Sequence, residues 1–209
     1  PQFDKIRADH YMPAFKKGIA EAKAEIDAIV NNQEEPSFQN TIEALEFAGG
    51  TLNRVAGIFY NILEADTNDK LQEIAEEVSP LMTEYEMYVS LNDKLFERVK
   101  SVYARKDSLG LEPDQLRLLE NSYRSFTRNG ANLSPEDKAV YSKYVEELSL
   151  LSLQFGKNVL TSSNAYQLHL ADSADLAGLP DYVKEIGAMT AKERGLDGWV
   201  FTLDYPSYL

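Results

Sequence analysis

The chain has 209 residues, of which 44% are hydrophobic and 26% are charged, and its formal net charge is −13. This composition is typical of a globular protein and excludes a disordered one. The acidity argues against nucleic acid and anionic membrane surfaces as partners, because both attract cations. The absence of cysteine excludes disulfides, thiolate metal sites and cysteine nucleophiles. No apolar run approaches the ~20 residues that cross a bilayer.

Both ends of the sequence suggest truncation. The sequence begins at Pro1 rather than at a methionine and stops at Leu209, just after an aromatic run. No signal peptide is visible. We therefore expect a truncated piece of a longer protein in the cytoplasm, or in the periplasm if a signal was removed upstream.

Apolar residues recur at three- and four-residue steps over most of the chain, which predicts amphipathic helices. The first helix is predicted to bury a stripe from Tyr11 to Ile29, and Pro13 falls in its opening turn, where its missing N–H costs little. The predicted stripe consists of Tyr11, Phe15, Ile19, Ala22, Ile26 and Ile29.

A second helix is predicted from Asn40, because Glu43 three residues later completes a capping box. Its apolar spacing continues to Leu63. The pair Gly49-Gly50 lies in the middle, where each glycine costs about 1 kcal/mol relative to alanine. The pair predicts either the close approach of a neighbouring helix or a kink.

Three further helices are predicted from caps and spacing. Thr67–Asp69 begins the first of them, which carries Pro80 inside it and is therefore expected to kink or to divide into two abutting helices. Asn92 begins the second, and the third ends at Asn129-Gly130.

The longest helix is predicted to begin at Ser134-Pro135, with an N-cap serine followed by a proline at the first helical position. It is expected to extend to about Ser163. Its predicted buried stripe consists of Val140, Tyr144, Leu148, Leu151, Phe155 and Val159.

The pattern changes near residue 164. Residues 166–170 alternate with period two, which predicts a strand, and a second strand is predicted over 199–203 after a helix that begins at Pro180 and ends at Gly195. The predicted fold class is mainly α. A multi-helix bundle over residues 1–163 is followed by a small mixed segment, strand–helix–strand, over residues 164–209.

The two histidines, His10 and His169, are too far apart in sequence to form a zinc-peptidase motif. That motif needs two imidazoles four residues apart on one helix, with a glutamate beside the first. We predict that His10 forms a hydrogen bond near the start of the first helix and that His169 is half-exposed in a strand. No nucleophile elbow or phosphate-binding loop is present. The sequence thus predicts no catalytic, cofactor-binding or metal-binding residue.

The opening segment Phe3–Ile19, FDKIRADHYMPAFKKGI, resembles the start of zinc oligopeptidases of the thimet oligopeptidase and dipeptidyl carboxypeptidase family. Pro36–Glu46 is similar to the start of that family's second helix. The resemblance spans essentially the whole chain and favours the dipeptidyl carboxypeptidase branch over oligopeptidase A. Similar segments follow at Thr67–Asp69, Glu77–Pro80, Leu95–Lys100, Arg105–Leu109, Gly130–Leu133, Leu151–Phe155 and Gly195–Val200.

This resemblance implies a larger α-helical enzyme with a deep channel between two lobes and a zinc ion in the later lobe. There, zinc would polarise the scissile carbonyl and lower the pKa of its bound water, with a glutamate as base. The chain would be the N-terminal, non-catalytic portion of a zinc-dependent peptidyl-dipeptidase, which removes dipeptides from the C-termini of short peptides. It would form one wall of the channel, lead into the missing catalytic region and be inactive alone. The implied partners are short peptides and the C-terminal catalytic region of the same protein.

Composition and periodicity alone fit a second hypothesis equally well. The chain could be a self-contained acidic helical module that binds a protein partner without catalysis. The coding frame beyond Leu209 discriminates the two hypotheses, because a downstream His-Glu-x-x-His motif belongs to the first and a stop codon to the second.

Overall fold

Helices make up most of the chain, and two short strands follow them. The computed structural model describes residues 1–204, so the predicted cut at Leu209 lies outside the described residues. The predicted fold class, mainly α with two short strands, is confirmed. The helices are α1 (Ala8–Val30), α2 (Ala44–Phe47), α3 (Gly50–Ala65), α4 (Asp69–Ser90), α5 (Asp93–Ala104), α6 (Pro113–Arg128), α7 (Pro135–Ala165) and α8 (Asp181–Glu193), and the strands are β1 (Leu168–Leu170) and β2 (Trp199–Phe201).

The chain divides into two compact units, Pro1–Leu150 and Leu151–Leu209. The division that the sequence suggests, between residues 163 and 164, stays a prediction. Within residues 1–204, no helix is both long and apolar enough to cross a membrane.

Helix α1 packs closely against α3 through a glycine. A Cβ atom added to Gly18 would lie 3.0 Å from the Cα atom of Leu52, so the two backbones are nearly in contact. Next to this point the rings of Phe15 and Phe59 meet edge to face, with centroids 5.4 Å apart. The predicted stripe of α1 is correct except at Ile19, which is half-buried, because Gly18 occupies the buried position instead.

The predicted capping box at Asn40 is wrong, because the cap lies at Ser37. Ser37 Oγ accepts a hydrogen bond from the Asn40 N–H at 3.1 Å, and Asn40 Oδ1 accepts one from the Ser37 N–H at 2.8 Å. Asn40 is thus the third residue of the element rather than its cap. The chain continues as a π-helical turn over Phe38–Glu43 and then as the short helix α2.

The predicted continuous second helix is broken at Gly49. This residue has φ of 78°, the left-handed region that favours glycine. Its N–H donates to Glu25 Oε2 of α1 at 2.7 Å. The break therefore satisfies an amide at the start of α3 with a side chain from a different helix.

Helix α4 begins at the predicted cap, since Asn68 Oδ1 accepts from the Leu71 N–H at 3.1 Å. It continues past Pro80 as one helix, so the alternative of two abutting helices is not found. Next to this proline, the hydroxyls of Ser79 and Thr83 lie 2.7 and 2.9 Å from Ser149 Oγ of α7.

A buried arginine on α5 fixes the loop between α1 and the π-helical turn. Arg98 Nη1 donates to the carbonyl of Asn32 at 2.9 Å, and Nη2 donates to Asn40 Oδ1 at 3.1 Å. Only 9% of Arg98 is exposed. Hydrogen bonds from charged groups contribute about 1.5–3 kcal/mol each, so this side chain holds the loop in place. The helix itself begins at the predicted cap, Asn92.

An ion pair links the turn after α5 to α6. Lys106 Nζ lies 2.7 Å from Glu120 Oε1, and both side chains are about two-thirds covered. The Lys106 ammonium also lies 5.0 Å from the centre of the Tyr103 ring, and that ring stacks on Tyr123 with a centroid distance of 4.0 Å. The stack and the ion pair together fix α6 beside α5.

The end of α6 and the start of α7 follow the sequence prediction. Gly130 has φ of 89°, and the N–H of Ala131 donates to the carbonyl of Phe126 at 3.0 Å, which is a Schellman motif. Ser134 Oγ accepts from the Asp137 N–H at 3.1 Å.

The predicted buried stripe of α7 is wrong, because no residue of this helix is buried. In the first unit, Tyr144 and Leu148 are 67% and 65% exposed, and in the second unit Phe155 is 71% exposed. The periodicity of the stripe is real, but each unit leaves its own part of the stripe largely exposed.

The two predicted strands of the second unit pair with each other. β1 and β2 are antiparallel, with Leu168 opposite Phe201 and Leu170 opposite Trp199. Helix α8 lies between them in sequence and packs on β2, where a Cβ on Gly187 would come within 2.8 Å of the Phe201 ring. The second strand ends at Phe201 rather than at residue 203.

Replacing Gly18 with alanine tests the contact between α1 and α3. Because the added methyl would meet the Leu52 backbone, we expect Gly18→Ala to lower the free energy of unfolding by about 1–3 kcal/mol. Gly57→Ala is the matched control, since Gly57 is helical and a Cβ there meets nothing within 4 Å. That change is expected to raise the free energy by up to about 1 kcal/mol. Urea unfolding measures both, and equal effects would refute the contact.

Replacing Glu120 with glutamine tests the ion pair with Lys106. The hydrogen bond from Lys106 lowers the pKa of Glu120. A carboxyl whose pKa is lower in the folded state contributes stability above its unfolded pKa and loses it as pH falls. Glu120→Gln is therefore expected to lower the unfolding midpoint more at pH 7 than at pH 3. The control is Glu97→Gln, because the pair of Glu97 with Lys100 is more exposed. An equal loss at both pH values would exclude a charge effect.

Candidate functional site

The two histidines occupy separate units and have separate local roles. His10 Nδ1 accepts a hydrogen bond from the Arg7 N–H at 3.3 Å at the start of α1, which confirms the predicted position. His169, in β1, is exposed, and its Nε2 lies 2.6 Å from the carbonyl oxygen of Asp197.

The residues present do not fit a zinc ion. Zinc sites in proteins combine at least three imidazole, thiolate or carboxylate ligands. Over residues 1–204, no three such side chains come together in an arrangement that could hold a metal. The whole sequence offers two histidines and no cysteine. No chemical step through zinc can therefore be assigned to this part of the protein.

The first unit has a groove between α2, α4 and α6. It consists of two adjoining cavities of about 400 and 510 Å³, which we call the α4–α6 groove. Both cavities are lined by Leu45, Val89, Ser90 and Ser125. Tyr141 of α7 lines the first of them. The surface of the groove is more apolar than polar.

The groove has the size and the polar groups of a binding surface. Within it, the hydroxyl of Ser122 donates to the carbonyl of Leu118 of its own helix at 2.8 Å. Glu86 lines the first cavity, and burial raises the pKa of its carboxyl. More than a third of Glu86 is nevertheless exposed, so this effect is modest. An apolar side chain or a short peptide stretch matches these dimensions and this chemistry.

The sequence did not reveal the groove. Leu45 and Val89 lie on apolar stripes, and this spacing predicts a core position for both. They border a cavity because α2 ends at Phe47, and the chain turns at Gly49 instead of continuing as one helix. The pair Gly49-Gly50 was the available signal, through the alternative of a kink.

Relatives of the chain include three bacterial peptidases. Dipeptidyl carboxypeptidase of Escherichia coli is 39% identical over 97% of the chain, and the enzyme of the same name from Salmonella typhimurium is 39% identical over 94%. Oligopeptidase A of Salmonella typhimurium is 27% identical over the whole chain. The chain is a homologue of the dipeptidyl carboxypeptidases. No protein-family model matches it.

The homology confirms the family that the sequence predicted, including the preference for the dipeptidyl carboxypeptidase branch over oligopeptidase A. The chain spans only about 30% of the length of these relatives and corresponds to an N-terminal region of them.

Proposed function

We propose that the chain is the N-terminal, non-catalytic portion of a zinc-dependent peptidyl-dipeptidase, an enzyme that removes dipeptides from the C-termini of short peptides. The observation that carries this proposal is the 39% identity with Escherichia coli dipeptidyl carboxypeptidase, which extends over 97% of the chain but only 30% of the enzyme. In this proposal the remaining part of the protein supplies the zinc and the catalytic residues.

In this proposal the part of the chain that the structure describes contributes binding surface. His10 and His169 each contact a backbone group. The cavities of the α4–α6 groove are bordered by apolar side chains, hydroxyls, amides and the carboxyl groups of Glu46 and Glu86. Such a mixture of apolar and polar groups can bind a peptide.

The α4–α6 groove supports the further proposal that the chain forms one wall of a substrate channel. It offers apolar surface from Leu45 and Val89, and Ser90, Ser125 and Asn129 provide polar groups. Such a combination accepts peptide side chains of varied sequence and leaves backbone amides with hydrogen-bonding partners.

A chimeric enzyme tests the proposed function. In this enzyme the chain replaces the matching 30% of Escherichia coli dipeptidyl carboxypeptidase, and release of dipeptides from a short peptide is measured by chromatography. We expect the chimera to release dipeptides, and we expect neither the chain alone nor the host enzyme without this region to do so. Zinc-dependent hydrolysis by the chain alone would refute the proposal. A folded but inactive chimera would favour the alternative of a non-catalytic interaction module.

A bulky residue in the groove tests the channel wall. Ser125→Trp places an indole where both cavities meet, so we expect KM for a peptide substrate to rise at least about threefold in the chimera. Thr127→Trp is the matched control, because Thr127 lies two residues further along α6 and borders neither cavity. Steady-state kinetics separate KM from kcat. If both variants keep the parent KM, the groove does not contact substrate.

A further inference from the structure

The second half of α7, residues 151–165, has a composition typical of a buried helix. Successive residues of an α-helix are about 100° apart around its axis. On that geometry Leu151, Phe155 and Val159 share one side, and Leu153 and Leu160 lie on nearly the opposite side. Ser152, Gly156 and Ser163 fill the space between the two sides, and Ser162 lies beside Leu151 on the first side. We call this surface, Leu151–Leu153, Phe155-Gly156, Val159-Leu160 and Ser162-Ser163, the α7 arc.

The α7 arc is much wider than the apolar face of a surface helix. It covers roughly 200° of the helix circumference, whereas an apolar stripe that faces one neighbour needs about 100°. The polar side is correspondingly narrow, and the amide of Gln154 donates to Asn158 there at 2.8 Å. The one charged residue of the half-helix, Lys157, lies on that polar side. A helix of this pattern is stable when it is enclosed by neighbours on several sides.

The described residues of the second unit leave most of this surface exposed, although Leu153 and Ser163 are half-buried. Leu151, Phe155 and Val159 are 58%, 71% and 49% exposed, and Leu160 is 40% exposed. Helices derive most of their stability from packing of their apolar side chains. Residues 151–165 thus lack the packing contacts that their apolar side chains predict.

Gly156 leaves the α7 arc open to the close approach of a neighbour. It lies near the middle of the α7 arc, and a Cβ atom there would meet nothing within 4 Å. Elsewhere in this chain, helical glycines at packed positions admit a close neighbour: Gly18 admits the Leu52 backbone and Gly187 admits the Phe201 ring. A glycine inside a helix costs about 1 kcal/mol relative to alanine. That cost is offset where another backbone packs against the glycine.

Resting on the proposed function, we propose that the α7 arc is the surface on which the remaining part of the peptidase packs, so that α7 becomes an internal helix of the complete enzyme. The relatives are more than three times as long as the chain, which spans 30% of the Escherichia coli enzyme, so ample polypeptide is available to cover it. A second copy of the chain fits less well, because one helix of a dimer partner covers about half of the arc. The absence of charge on the arc requires an apolar counterpart.

Hydrogen exchange tests this inference without any substitution. Amide exchange over residues 153–163 is compared between the chain alone and the chimera with Escherichia coli dipeptidyl carboxypeptidase. Because packing suppresses local opening, we expect exchange in the chimera to be at least about tenfold slower. Equal rates in the two proteins would overturn the inference.

Two matched variants of the chimera localise the effect. Phe155→Asp places a charge on the α7 arc, and Thr161→Asp places the same charge on the polar side of the same helix. We expect Phe155→Asp to abolish the slow exchange and Thr161→Asp to retain it. Loss in neither variant, or in both, would overturn the assignment to the arc.

The outcomes for docking and for function are separable. A chimera that releases dipeptides but exchanges fast over 153–163 keeps the proposed function and overturns the docking. A chimera with slow exchange but no dipeptide release keeps the docking and overturns the proposed function. Sedimentation of the chain alone as a dimer that Phe155→Asp dissociates would assign the arc to a second copy and overturn the inference.

Discussion

The first unit depends on how closely other helices can approach α1. This helix contacts α2, α3, α4 and α5, so its surface sets the positions of most of the bundle. At Gly18 the absence of a side chain lets the backbone of α3 come within contact distance, and this brings Phe59 onto Phe15. An apolar residue of ordinary size at position 18 would push α3 outward and open the core on that side.

The same helix also directs the path of the chain after α2. Glu25 accepts the hydrogen bond of the Gly49 amide, and the left-handed backbone of Gly49 separates α2 from α3. Arg98 of α5 holds the loop between α1 and the π-helical turn through hydrogen bonds to Asn32 and Asn40. The α4–α6 groove is a consequence of the break at Gly49. A straight helix through Gly49 would not leave α2 as a separate short helix that borders the groove.

Local features of the fold could be predicted from the sequence, and features that depend on a partner could not. The caps at Asn68, Asn92 and Ser134 and the end of α6 were predicted correctly, because each depends on hydrogen bonds within a few residues. The break at Gly49 depends on a carboxylate 24 residues away, which no local pattern contains.

The candidate site was harder to predict from the sequence than the fold was. Apolar spacing marks Leu45 and Val89 as inward-facing, but it cannot distinguish a filled core from a cavity, since both demand the same residues. The stripe of α7 fails for a related reason. Periodicity predicts that Phe155 is buried, but it does not identify the polypeptide that packs against it.

The exposure of α7 has a consequence for synthesis of the protein on the ribosome. If the chain is the N-terminal region of a peptidase, it is translated first, and more than twice its own length of polypeptide follows. At bacterial rates of about 5–20 residues per second, that interval lasts roughly half a minute to a minute and a half. During this time Leu151, Phe155 and Val159 form an apolar surface without cover. Transiently exposed apolar surface of this kind makes an incomplete chain prone to aggregate until its later part has been made.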